Sequence, residues 1–518
     1  MASRATVCQY GALFVEIRDG GKTLLEGRSE GGLRGGALST LEAMVVSMGF
    51  MAPSVAMFFN TPFIAGFAGG AMPLAMLLSF GAVFLVALGF SQLASRTASA
   101  GSVYAFVSNA INPKTGFMGM WFFIIGYGIF EAATYSIFAS FSSELMERTF
   151  GIAVPWIIPF LVIAGLVYTL SVLGVTQSVR GGLVFLVYEI ALVTILLLAV
   201  IFQGGAEGNT LAVFNPATGS GIGGVFLGMI FGIMSFVGWK AAASLGEETR
   251  NPHTSIPRAL LGAVAVIGCY YVFVTYAATI GFGPSNMDRF AGDAAWFDTL
   301  TREYLGAGWA PFVGIAALTG AIASAIGIHN STVRLIYALG RDGVLPRALA
   351  KVHPTRQSPY VAASVQAGFS VVLGIVFSAL IFPDPATTYG YFGGLGTLAV
   401  LFVYIFINAS VFLYFFRKER ENFSVLRHAV IPLVATAAVC LPIYGLIYPV
   451  PDPPYNLWPY LIALWALIGL GFLFFISRRR PQLVEVMGRA FSESGDEPDT
   501  AQENVLGVGD HPAAGPRE

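Results

Sequence analysis

Apolar runs of about twenty residues recur along most of the chain, separated by short polar segments. A helix rises about 1.5 Å per residue, so such a run crosses the roughly 30 Å hydrocarbon core of a bilayer. The pattern predicts an all-α polytopic membrane protein with twelve transmembrane helices. They fall near 37–59, 70–95, 116–146, 153–173, 181–203, 221–245, 258–282, 308–340, 360–382, 388–416, 428–449 and 457–477. The runs are continuous rather than alternating, which argues against a membrane barrel.

Composition agrees. Apolar residues make up 56% and charged residues 11%, whereas a soluble chain carries about a quarter charged residues. Net charge is −1, so no electrostatic case for nucleic acid exists. Even parity puts both tails on one side of the bilayer. Thirteen loop Lys and Arg residues lie on that side, from Arg96 and Lys114 through Arg427, against Arg148, Arg289 and Arg302 opposite. The bias places both tails in the cytosol, in a plasma-membrane protein. Residues 1–36 lack a hydrophobic core followed by a small-residue cleavage site, so no cleavable signal peptide is expected. Residues 478–518 are acidic and rich in Gly, Pro and Ser, and read as a disordered cytosolic tail. Cys8, Cys269 and Cys440 fit neither a disulfide framework nor a metal site.

Two spans carry weak points. Pro53 lies inside the first, where a proline removes a backbone donor and opens the helix near Met48 to Ser54. Phe236-Val237-Gly238 lies in the sixth, with Trp239 and the cation Lys240 following. A charge at that depth costs roughly 2.5 to 3.5 kcal/mol on insertion scales. Breaks in the first and sixth spans, each opening a series of five, are the signature of two five-helix repeats of opposite orientation around a midplane site. The repeats are 37–203 and 221–416, with 428–477 supplying two extra helices. Taken singly, Pro53 and Gly238 also fit ordinary close packing; their corresponding positions favour a site.

The segment Phe236-Val237-Gly238-Trp239-Lys240, then Glu247-Glu248-Thr249-Arg250-Asn251-Pro252 and Ile256-Pro257-Arg258, resembles the sixth-helix pattern of the amino acid–polyamine–organocation transporter superfamily. Asn330-Ser331-Thr332-Val333-Arg334 and Arg341-Asp342-Gly343-Val344-Leu345-Pro346 resemble its eighth-helix pattern. The likeness runs roughly from Leu38 to Arg417. It implies a LeuT-type inverted repeat in which a substrate carboxylate meets backbone N–H groups at the first break, and its ammonium meets carbonyls at the sixth. By position, the first group is Met51, Ala52, Pro53, Ser54 and Val55, and the second is Phe236, Val237, Gly238 and Trp239. The chain departs from the family twice. Pro53-Ser54-Val55 replaces the usual G-x-G, so one N–H donor is missing, and Lys240 replaces the usual glutamate.

Several ionisable groups lie within spans. Some relatives carry a lysine near the position of Glu189 in the fifth span. One reading pairs Glu189 with Lys240 through a protonation change. The alternative has Lys240 snorkelling to the cytosolic interface and Glu189 packed as a neutral acid. Tyr127 lies one turn before Glu131 in the third span; Tyr127 is a candidate pocket residue, Glu131 a helix-packing hydrogen bond. His329 reads as a packing histidine or a proton relay. Ser324 occupies a place where sodium-dependent relatives put hydroxyl ligands, but Ala323 and Ala325 supply no second one, which favours a proton or exchange. Glu247 and Glu248 with Arg334 and Arg341 are candidates for an intracellular gate, or simply mark the interface. Phe236 and Trp239 suit either a substrate lid or lipid contact.

The resemblance implies a secondary active transporter for an amino acid or related amine, working by alternating access. A channel or non-transporting sensor on the same fold is the alternative. No H-E-x-x-H, G-x-S-x-G, metal-ligand cluster or nucleotide fingerprint occurs, so neither enzyme activity nor a cofactor is expected.

Overall fold

The computed structural model describes residues 38–96, 103–173, 179–245, 249–341, 343–356, 358–382 and 384–479. The tail 1–36, the segment from 480 onward and the acidic pair Glu247 and Glu248 lie outside the described residues. Among the described residues the chain is helical, with one isolated bridge between Leu38 and Thr249.

Local chemistry sets where the helices begin. Ser39 caps α1 (Thr40–Phe50): its Oγ accepts from Glu42 N–H, while the Glu42 carboxylate accepts from Ser39 N–H at 2.8 Å. This reciprocal pair satisfies two donors that a helix start leaves free. The chain continues through α2 (Pro53–Ala68), α3 (Met72–Ala94) and a short α4 (Val103–Ala110). Asn112 caps the long α5 (Pro113–Phe150), and Gly151 ends it at φ 67°, a turn glycine adopts freely. Next come α6 (Ile157–Val172), α7 (Val179–Phe202) and α8 (Gly221–Met234). The Asn251-Pro252 dipeptide starts α9 (Pro252–Phe282), with Asn251 left-handed at φ 47° and proline at the first helical position. Two short helices, α10 (Met287–Ala291) and α11 (Trp296–Tyr304), precede α12 (Ala310–Arg341) and α13 (Tyr360–Val376). Asp384 caps α14 (Pro385–Arg417), and α15 (Ile431–Gly445) and α16 (Trp458–Arg479) complete the described chain.

Nine helical stretches among the described residues are long and apolar enough to cross a bilayer, so this is a multi-pass membrane protein. One of them, Thr40–Ala94, runs 55 residues and contains the interruptions between α1, α2 and α3. The apolar helices α6 and α8 fall short of full span length, α8 because its sixth-span run is broken after Met234.

Burial separates centre from edge. The most apolar window of α5 is 83% buried, that of α16 only 22%. Large apolar side chains on α6, α7, α15 and α16, among them Val162, Phe185, Leu433 and Leu467, are exposed and form the face that lipid covers. Small residues bring the central helices together. A Cβ on Gly396 of α14 would meet the Gly126 carbonyl of α5 at 3.0 Å, the close approach that membrane helix pairs exploit. Trp121 of α5 and Trp465 of α16 stack at 4.5 Å, and each indole donates to the other's carbonyl, at 2.9 and 3.0 Å.

The segment between α9 and α12 is anchored rather than loose. Trp296 of α11 is fully buried and donates to the Phe58 carbonyl of α2 at 2.9 Å. Arg148 at the end of α5 pairs with Asp293 at 3.0 Å, and Arg302 pairs with Asp298 at 2.7 Å. The sequence pattern gave no sign of this docking, because α10 and α11 lie in a run that reads as a polar loop.

Candidate functional site

The first break is the join Met51–Ala52 between α1 and α2. Ala52 sits at φ 44° and ψ 68°, a left-handed conformation that costs a non-glycine residue about 1–2 kcal/mol. Pro53 is the first residue of α2, where its missing N–H removes no helical hydrogen bond. The break thus falls within the expected stretch Met48 to Ser54, but Pro53 starts the second half rather than interrupting a continuous helix. Its lost donor is still lost to any ligand. No side chain caps α2, so the N–H groups of its first turn, from Ser54 and Val55, face the break.

The second break spans Ser235 to Gly238. Beyond it the chain enters a short, tighter helical turn, Trp239–Leu245. Gly238 adopts φ 108°, and a Cβ there would lie 2.5 Å from the Phe50 carbonyl oxygen and 3.2 Å from Met51 N. The two breaks thus touch, backbone against backbone. Tyr271 of α9 bridges them: its hydroxyl lies 3.0 Å from the Ser235 carbonyl and 3.3 Å from that of Met51. One proton serves one of these acceptors at a time. Ala242 N–H donates to Ser47 Oγ at 2.9 Å, tying α1 to the helical turn beyond the second break. The ends of α1 and α8 bring partial negative charge to this point and the start of α2 brings partial positive charge, each about half an electron.

Around the breaks the side chains divide into two flanks. On one, Glu189 of α7 lies beside Gly320 of α12, where a Cβ would meet Glu189 Oε1 at 3.0 Å and Val55 at 2.8 Å. The buried Ser54 hydroxyl is next to this carboxyl without meeting hydrogen-bond geometry. On the other flank, Lys240 Nζ lies 4.9 Å from the centre of the Phe123 ring on α5 and 5.7 Å from that of Tyr404 on α14. Phe123 stacks on Tyr127 at 4.1 Å, and Trp239 donates its indole N–H to Tyr404 at 2.9 Å.

Lys240 Nζ is buried with no hydrogen-bond partner. The Glu189–Lys240 pair is therefore not formed in this structure, because the two side chains face different helices. Nor does Lys240 snorkel, since its ammonium is enclosed. Its aromatic companions contribute about 0.5–2 kcal/mol, against several kcal/mol for removing an ammonium from water. Phe236 and Trp239 are fully buried. Phe236 packs on Tyr271 at 5.1 Å and on Phe80 at 6.2 Å, so both aromatics are enclosed in protein rather than on a lipid face.

Glu131 and His329 meet each other. His329 Nδ1 lies 2.9 Å from Glu131 Oε1, which also accepts from Tyr135 at 2.5 Å, while Gln366 of α13 donates to Glu131 Oε2 at 2.8 Å. This fully buried cluster binds α5, α12 and α13, and leaves His329 Nε2 without a partner. Of the gate candidates, Arg334 is exposed on α12 and Arg341 ends that helix, while Glu247 and Glu248 lie outside the described residues. Ser324 is half-buried. Cys269 and Cys440 are free thiols, and the described residues hold no group of three or more His, Cys, Asp or Glu able to take a metal ion.

Sequence reasoning missed Tyr271, Asn60, Phe123 and Tyr404. Asn60 of α2 donates to Ser235 Oγ at 2.9 Å and accepts from Tyr389 of α14, fixing the α8 side of the second break. An asparagine within an apolar helix was a readable signal. The aromatics had none, since they resemble many others in apolar helices.

The amino acid permease family model matches residues 42–485. The low-affinity putrescine importer PlaP of Escherichia coli is 26% identical over 401 residues, covering 76% of this chain and 83% of its own. The branched-chain amino acid permease BcaP of Bacillus subtilis is 26% identical over 439 residues, covering 80% and 88%. The mouse cationic amino acid transporter 4 is 26% identical over 414 residues, covering 77% and 62%. With the family pattern spanning nearly all of its membrane helices, this chain belongs to the amino acid permease family.

Proposed function

We propose that the protein is a secondary active transporter carrying an amino acid or related amine across the plasma membrane by alternating access, either proton-coupled or as an exchanger. The observation that carries this reading is the contact of the two helix breaks, with Ala52 at φ 44° and Gly238 at φ 108° against the Phe50 carbonyl. Strained backbone of this kind persists only where its surroundings hold it, and it concentrates at ligand sites. Exposed helix ends at membrane depth are tolerated where they line a cavity or are enclosed in protein.

In this reading the substrate occupies the space bounded by Met51, Ala52, Pro53, Ser54, Phe236, Val237, Gly238, Trp239 and Tyr127. Glu189 and Lys240, one on each flank, are the coupling groups. The spans form two inverted five-helix repeats, 37–203 and 221–416, followed by two further helices within 428–477. That makes twelve when Thr40–Ala94 is counted as two spans and the shorter α6 and α8 are included. Both termini then face the cytosol, where Glu247 and Glu248 close an inner gate against Arg334 and Arg341.

The test is counterflow of labelled amino acids and amines in proteoliposomes containing the purified full-length chain. A carrier accelerates label entry when unlabelled substrate is trapped inside, and the rate saturates. Binding without flux would return the protein to the class of sensors.

A further inference from the structure

Three observations bear on which end of a ligand goes where. The start of α2, the expected place for a carboxylate, opens with Pro53 and so lacks one donor. That helix start already has a carboxyl of the protein beside it, since Glu189 lies next to Ser54 and borders Gly320 together with Val55. A carboxylate near a helix N-terminus is itself favourable, and it repels a second one. Meanwhile Lys240, two residues past the second break, presents a buried ammonium without any hydrogen-bond partner. Its surroundings are Phe123 and Tyr404. The ring positions are set in advance, Phe123 by stacking on Tyr127 and Tyr404 by the Trp239 hydrogen bond. The remaining ionisable groups of α5 and α12 near this depth, Glu131 and His329, are committed to each other.

We infer that Lys240 is the carboxylate subsite, so that the ligand sits with its carboxylate on the Lys240 flank and its ammonium toward Glu189 and the carbonyl ends of α1 and α8. The inference rests on the proposed substrate site, reverses the polarity that the family resemblance implies, and gives Lys240 a binding role in addition to the coupling role proposed above. It makes a carboxylate obligatory. Diamines, which would set a cation against Lys240, and simple amines, which would leave it unpaired, are excluded as good ligands.

Matched ligands on the purified full-length protein test this. Thermal-shift titration compares leucine with isoamylamine, which lacks only the carboxylate, and 4-aminobutyrate with putrescine, in which an aminomethyl cation replaces it. Wild type is expected to bind the carboxylate member at least about tenfold more tightly, the ratio that a lost charged hydrogen bond produces. Lys240→Met removes that preference, and Lys240→Arg keeps most of it. Equal binding of the paired ligands by wild type overturns the inference, and this comparison needs no variant to fold. So does Lys240→Met binding leucine within about twofold of wild type, a difference too small for a lost ion pair. Counterflow separates the two levels. Flux of an amine without carboxylate preference sinks the subsite and leaves a transporter, whereas carboxylate-selective binding without flux leaves the subsite and sinks transport.

Discussion

The two breaks solve one problem by different means. At the first, an alanine is held left-handed, a conformation open to any small residue at a modest cost. At the second, Gly238 lies at φ 108° with the Phe50 carbonyl where a Cβ would be, a combination that only glycine satisfies. The first break is thus maintained by its packing and the proline that follows. The second depends on the absence of a side chain. Substitution should expose that asymmetry.

Gly238→Ala should have the largest effect. The backbone penalty alone is about 1–3 kcal/mol, and the methyl group must displace Phe50 as well. Ligand-induced thermal stabilisation should disappear and counterflow fall by at least about tenfold; wild-type affinity would mean that the breaks need not touch. Glu189→Gln acts only on the flank beside the first break. It should reduce concentrative uptake by about tenfold or more while exchange continues, as comparison of uptake and counterflow in the same vesicles would reveal. An equal loss of both would leave Glu189 a structural group or a contact for the ligand ammonium, with no part in coupling.

Tyr271→Phe removes the hydroxyl shared between Met51 and Ser235. About 0.5–1.5 kcal/mol is expected for one such bond, read as a lowered melting temperature with binding retained. An unchanged melting temperature would mean that the breaks are coupled by contact alone. Ala52→Gly is the mildest. Relief of the left-handed strain opposes the added freedom of the unfolded chain, and the net change should stay within about 1 kcal/mol. A loss as large as that of Gly238→Ala would erase the asymmetry.

The breaks were visible in the sequence because Pro53 and Gly238 interrupt apolar runs that otherwise have no reason to contain them. The register was less visible. Proline marks a helix start as readily as a kink, and only the left-handed Ala52 shows which applies here. Glu189 and Lys240 stood out because charge within a span is costly, yet nothing in their spacing says that they face different helices. Glu131 and His329 are 198 residues apart, and their meeting depends on how α5 and α12 pack. Tyr271 is legible only from three dimensions, since its role comes from two carbonyls on other helices. The docked α11 escaped for a related reason: Trp296 and Phe297 look like interfacial aromatics until the surface of α2 is in place.

The bridge between Leu38 and Thr249, with Arg250 N–H donating to the Leu38 carbonyl at 2.9 Å, joins the chain just before the first helix to the chain just before α9. Thr40 and Ser255 reinforce the same seam from α1 to α9. Rocking of the inner half of the first helix would carry the other segment with it, or else strip these polar groups of their partners. The ends of the two interrupted rods are in this way geared together, and any force applied at the residues leading into α1 is delivered to both.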